Sequence, residues 1–244
     1  MKDEICASKE ELDIPGISAD AKYTIFADSK HLHYGIIHFV TKQIYSGEYD
    51  HLFVEVSKHI EPEILYVDGP IHQDREALRI LNEWTARPDA MAYLLDVARE
   101  KDVEVHFIDD LENLTKMEEM VTQIKNAAKT DLHTAREMVG EMMKHRMSVN
   151  ATFVEHIKSV EDVERAAIFT GEGHVAGNND LDEMLGGKTT VVAVYPDSRH
   201  KLIGHEELGK HLGEIEDADH CVLLTPDPTP RLVDKPAVLV APQK

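Results

Sequence analysis

Cysteine occurs only at positions 6 and 221 of this 244-residue chain, with no Cys-x-x-Cys spacing, which argues against a disulfide framework and fits a reducing compartment. Long apolar runs are missing too: none approaches the roughly 18 residues that a membrane helix needs. The opening MKDEICASKEELD has no basic-then-apolar layout of a signal peptide, so the expected location is the cytoplasm. Basic residues are scarce, 26 Lys and Arg against 46 Asp and Glu, a formal charge of −20 with histidine neutral. Such a chain repels a phosphate backbone, which excludes a general nucleic-acid binder. It is not a disordered composition, because 42% of the residues are hydrophobic and can close a core. What the sequence does have is histidine, 15 of them.

Residues 1–20 are charged and carry Pro15-Gly16, and they read as a loosely ordered leader before one domain over 21–244. Tyr23 to Ala27 is a short strand. Tyr34, Ile37, Thr41, Ile44 and Tyr45 recur at helical spacing until Ser46-Gly47 stops them. Leu52 to Val56 reads as a buried strand interrupted by Glu55, the stretch from Ile71 to about Asn82 as a helix, and Asp89 to Lys101 as another. Val103 to Ile108 alternates as a strand. From Leu111 to Val160 the pattern predicts two long helices, at 111–127 and 131–160, with the lone Gly140 a candidate break in the second. Their methionines (Met117, Met120, Met138, Met142, Met143, Met147) read as filler on buried faces. Strands then recur at Ala166–Thr170, Thr189–Tyr195, Cys221–Leu224 and Ala237–Val240. The expected fold is α/β, a mostly parallel central sheet built from two related halves and flanked by helices, with a helical insertion at about 111–160.

The two halves open alike. Ile25-Phe26-Ala27-Asp28-Ser29-Lys30-His31 can be laid on Ile168-Phe169-Thr170-Gly171-Glu172-Gly173-His174, with three identities and histidine at the same offset. In a parallel sheet ligands collect at the carboxyl ends of the strands, near the point where strand order reverses. His31 and His174, each just beyond a strand, can face one another there, and Glu55 belongs to the same edge. A carboxylate in an apolar strand costs several kcal/mol unless it is paired or ligated. His31, Glu55 and His174 therefore make a candidate divalent-metal set, for Mn, Co, Zn or Fe. His72, His106, His133, His145, His200, His205, His211 and His220 share no spacing and read as ordinary.

These motifs resemble the superfamily that joins erythromycin esterase, the ChaN heme/iron-binding lipoproteins, TraB and the Tiki proteases. Strand-DSKH at 28–31, strand-Glu at 55 and GEGHVAG at 171–177 are similar to its opening, second-strand and closing elements. The stretch from Ala98 to Asp109 resembles its A-x-x-x-G-x-x-V-x-x-x-D segment, with Asp102 where the family has glycine. His145 through Ile157 resembles the helix that carries its active-site arginine, here Arg146. Asp28 stands where the first glycine belongs, Ser29 where many members have glutamate, and Met147 replaces the Asn or Asp after the arginine. The resemblance covers about residues 20–200 and implies a hydrolase, of esterase or metal-dependent protease type, acting on a small molecule or peptide. In that reading His31, Glu55 and His174 activate water with or without a metal, Glu172 adds a carboxylate, and Arg146 stabilises an oxyanion or a substrate anion. Asp28, Ser29 and Asp109 are the substrate-binding candidates.

Two alternatives stand beside this. One is a non-hydrolytic iron or heme carrier, with heme ranked below a simple divalent ion. The other is a bacterial virulence effector, secreted without a cleaved signal peptide and meeting a host protein. Two decoys fall away. Gly187-Lys188-Thr189 lacks the first glycine of a phosphate loop, because position 182 is Asp182. Asn178-x-Asp180-x-Asp182 lacks the obligatory glycine of a calcium loop, and Asp180 to Leu185 reads instead as a helix start.

Overall fold

Strands rich in apolar residues on both sides need cover on both sides, and the chain supplies it with helices. The computed structural model describes residues 20–28, 34–85, 87–175, 180–196, 220–224 and 230–233. Among these, seven strands form one sheet: β1 (Tyr23–Asp28), β2 (His51–Ser57), β3 (Glu104–Asp109), β4 (Ala166–Gly171), β5 (Thr189–Pro196), β6 (His220–Leu224) and β7 (Pro230–Val233). Their order is β3-β2-β4-β1-β5-β6-β7; every pairing is parallel except β6 with β7. The mostly parallel α/β expectation is met. The leader and the strand expected at Ala237–Val240 lie outside the described residues, and β7 was not foreseen.

Alternation along each strand divides the core in two. Phe26, Val54, Phe107, Phe169 and Val192 face one layer, packed by α1 (Tyr34–Ser46), α2 (Glu61–Leu65), α3 (Arg75–Trp84) and α4 (Pro88–Glu100). Ile25, Phe53, Ile108, Ile168 and Val191 face the other, where α6 (Leu132–Ser159) contributes Val149, Phe153 and Ile157 and α7 (Leu181–Leu185) contributes its two leucines. Aspartates start the helices: Asp74 caps α3, Asp110 caps α5 (Leu111–Ala127), Asp131 caps α6 and Asp180 caps α7, each accepting backbone N–H bonds. Glycine ends α1, since a Cβ on Gly47 would stand 2.7 Å from the Gln43 carbonyl oxygen and closer still to the Tyr49 ring.

Three expectations are corrected. The segment at 71–82 opens with a 3-10 turn, Ile71–Gln73, and turns α-helical only at Arg75, after the Asp74 cap. The candidate break at Gly140 does not occur: the helix is continuous for 28 residues. The methionines do not fill a buried face: Met117, Met120, Met138 and Met142 are half-buried and Met147 is exposed. The physical reason is that α5 packs on α6, whereas only the carboxyl-terminal part of α6, from Val149 on, lies against the sheet. The 111–160 insertion is thus a helical hairpin rooted by one end.

β1 and β4 lie side by side. Their pairing matches Ile25 with Ile168, Phe26 with Phe169 and Asp28 with Gly171, the same correspondence as the internal sequence match. From β1 the chain crosses toward β2 and β3, and from β4 it crosses the other way to β5. The carboxyl ends of β1 and β4 therefore flank a point where strand order reverses, a place where parallel sheets hold ligands.

Candidate active site

Glu55 stands where β2 leaves regular pairing. The β2–β4 ladder ends at Val54–Phe169, and the β2–β3 register shifts between Val54 and Ser57. An irregularity of this kind re-aims a side chain. Here the carboxylate takes over as partner of the neighbouring strand: Glu55 Oε2 accepts from the Gly171 N–H and the Thr170 hydroxyl, both at 2.6 Å.

Beyond β4 the chain tightens into a 3-10 turn, Glu172–His174. It brings His174 back over the sheet end, buried, with its ring stacked on Phe153 at 5.0 Å between centroids. Asn150 fixes the imidazole. Its Nδ2 donates to the His174 carbonyl oxygen at 3.3 Å, which leaves Oδ1 to accept from His174 Nδ1 at 2.6 Å. Nε2 is then the nitrogen that faces Glu55 Oε1, at 3.2 Å, and when protonated it donates to the carboxylate. Burial pushes the Glu55 carboxyl up, but the charge and hydrogen bond of His174, with the Thr170 and Gly171 donors, hold it well below the usual carboxylate range.

One face of α6 builds this arrangement. Arg146, Asn150, Phe153 and Ile157 follow at four-, three- and four-residue steps, so their side chains line one side. The Arg146 guanidinium lies over the Gly171–His174 turn so closely that a Cβ on Gly173 would meet Nη2 at 1.5 Å. Burial lowers the arginine's pKa, while the charges of Glu55 and Glu172 oppose that shift. Arg146 Nε is buried with no hydrogen-bond partner. Such a guanidinium has donors left for an anion.

Asp109, at the end of β3, is buried, and its Oδ1 accepts the N–H of Asp110 at 2.6 Å. Burial, and then the charge of Glu55, push its carboxyl up to about 7. Asp28, also buried, sits at the end of β1 as the pairing partner of Gly171. Glu55, Arg146, Glu172 and His174 thus share the carboxyl-terminal end of the sheet, with Asp109 and Asp28 at the adjoining strand ends. His31 and Ser29 lie outside the described residues.

As a metal set, Glu55 and His174 offer two ligand atoms. Among the described residues no third His, Cys, Asp or Glu atom completes a group around them. No step through an ion is therefore derived.

Thr170 and Asn150 were missed in the sequence. Asn150 had a signal, its position four residues after Arg146 on a helix; Thr170 had none beyond its place before Gly171. His106, read as ordinary, is half-buried and hydrogen-bonds His51. His72 is structural, its ring held by Asp96, which also accepts the backbone N–H groups of Ile71 and His72.

Among the described residues no helix is long and apolar enough to cross a membrane. No family model matches the chain, and no curated protein does. Solved structures similar to it include the type III effector HopBA1, at 15% identity and a TM-score of 0.42, over 71% of this chain and 76% of that one. RRSP, a MARTX toxin effector domain from Vibrio vulnificus CMCP6, is 12% identical with a TM-score of 0.46. That match covers 97% of this chain and 40% of the RRSP chain, so this chain spans about two-fifths of its length. Both of these structures are of effector proteins.

Proposed function

We propose that the chain is a hydrolase whose reaction centre is the Glu55–His174 pair, with Arg146 binding the anion that develops on the substrate or one that it already carries. The observation that supports this is the convergence of a low-pKa carboxylate, an oriented imidazole and a guanidinium with a free donor at one strand-end crevice. In this reading Asn150 is a positioning residue that selects the nitrogen His174 presents, and Glu55 balances the charge on the ring as it moves a proton. Asp109, titrating near neutrality, is the nearby carboxyl able to hold or release a proton at working pH. His31 is the residue expected to complete the centre from the β1 side, either as base or as third ligand to a Mn, Co, Zn or Fe ion. Such an ion would acidify a bound water. The acidic surface disfavours highly anionic substrates except at Arg146 itself.

The experiment is a hydrolysis screen over carboxylic esters, peptides and phosphoesters with the intact chain and with His174→Ala, Glu55→Gln and Arg146→Lys. A loss of at least about 100-fold in kcat/KM in each variant, with the fold retained by circular dichroism, is the expected result. Turnover that survives both His174→Ala and Glu55→Gln would refute it. A heme-carrier role predicts instead a visible absorption band on heme titration. A host-cell effector role is of the same kind as the two structures named above. It predicts toxicity in host cells, and toxicity that persists when Glu55, Arg146 and His174 are all replaced would separate it from hydrolysis.

A further inference from the structure

The opposite end of the same sheet face carries a second cluster. His51 and Glu104 open β2 and β3 and are pairing partners, and His106 follows two residues on, beside Phe53. His51 Nδ1 and His106 Nε2 stand 3.0 Å apart. Glu104 reaches both, with Oε2 at 4.0 Å from His51 Nδ1 and Oε1 at 3.7 Å from His106 Nε2. The two rings stack at 5.3 Å, and Phe53 stacks under His106 at 4.9 Å. His51 is buried, His106 is half-buried and the Glu104 side chain is 68% exposed. The cluster is packed on its protein side and open on its solvent side.

We propose that His51, Glu104 and His106 bind a borderline divalent transition ion of the zinc class, with water in the remaining position. The ligand types carry this: two imidazoles and one carboxylate suit zinc, cobalt, nickel or copper rather than calcium or magnesium. Spacing agrees. With Zn–N near 2.0–2.1 Å, two nitrogens of a tetrahedral site lie about 3.3 Å apart, so the imidazole pair is already at chelating separation. The carboxylate has only to close by less than about 1 Å, which an exposed glutamate does by changing rotamer. A neutral imidazole is the form that ligates. Without an ion one ring donates its N–H to the other; the ion displaces that proton. Because β3 is the sheet's edge strand, binding would also tie the edge to β2. The site is independent of the hydrolase reading. Four residue steps along an extended strand separate His51 from Glu55, about 13 Å.

The test is titration of the untagged, chelator-treated full chain with zinc and, as a coloured probe, cobalt, measuring stoichiometry by calorimetry and the visible cobalt spectrum. One ion per chain is expected at this site, with binding abolished in His51→Ala and His106→Ala. Glu104→Gln, whose exposed side chain makes loss of fold implausible, should weaken binding about tenfold or more and change the cobalt spectrum. The double variant Glu55→Gln/His174→Ala should leave both signals intact. Binding that ignores Glu104→Gln and His106→Ala, or that vanishes only in the Glu55/His174 variant, would overturn the proposal. So would the absence of stoichiometric binding at micromolar ion, which would make the cluster a hydrogen-bonded imidazole pair.

Discussion

At the scale of single residues, two carboxylates at the same crevice are pushed in opposite directions. Asp109 holds its proton up to about 7 in the folded chain, against 3.8 when free, so its stabilising effect is complete below about 4 and is lost as pH rises through 7. Glu55 has the reverse sign: its folded value is depressed, so its contribution is present above about 4.5 and is lost as pH falls below it. Urea denaturation across pH should therefore find the two contributions together largest near pH 4 to 4.5, with stability falling on either side. Asp109→Asn should flatten the alkaline side, where the wild-type carboxylate costs at most about 4 kcal/mol. An unchanged alkaline limb in that variant would show that Asp109 does not titrate there. Gly173 makes a second prediction. A methyl at that position collides with the far end of a flexible side chain, so Gly173→Ala should displace the Arg146 guanidinium and leave the fold almost unaltered. Activity or anion affinity should fall about as far as in Arg146→Ala while the melting temperature moves by no more than a few degrees.

At the scale of elements, the end of α4 shows how an aspartate can close a helix at a position that usually calls for glycine. Val103 N–H bonds the Ala98 carbonyl and Asp102 N–H bonds the Arg99 carbonyl, the paired bonds of a Schellman stop, which requires a left-handed residue between. Asp102 occupies it at φ +56°. Aspartate tolerates that region better than most residues but at a cost. Asp102→Gly is expected to raise stability by about 0.5–1 kcal/mol in equilibrium denaturation; a loss would mean that the aspartate side chain stabilises the stop. The site itself hangs on α6. Phe153 is fully buried, stacks on His174 and packs among β-strand residues, so Phe153→Ala should cost about 3–5 kcal/mol and release the imidazole. The readout that separates this from simple loss of core is the His174 ring resonance, which should become mobile before the protein unfolds.

At the scale of the whole molecule, a formal charge of −20 repels itself. Raising salt from about 0.02 M to about 0.5 M shortens the screening length from roughly 20 Å to about 4 Å. The melting temperature should rise with it, and a fall would mean that attractive pairs outweigh the repulsion. Several of the acids are already committed locally, as the helix caps Asp74, Asp110, Asp131 and Asp180 and as Asp50, which accepts the N–H groups of Glu164 and Arg165 at the entry to β4.

Local patterning was enough to read most elements. Apolar alternation and helical spacing located β1 to β5, α1, α4 and both arms of the α5–α6 hairpin, because period and caps are properties of neighbouring residues. It also marked Glu55, since a charge in an apolar strand needs a partner wherever the strand lies. It could not say that His174 is that partner, that Asn150 orients the ring, or that Gly173 makes room for Arg146. Those are contacts between segments 24 to 119 residues apart. Nor could spacing join His51 to His106, which meet only because β2 and β3 pair in one register and a shift of a single residue would send either side chain to the other face. Secondary structure here follows from local chemistry; the reactive groupings follow from strand order and register, which only long-range packing of the two core layers decides.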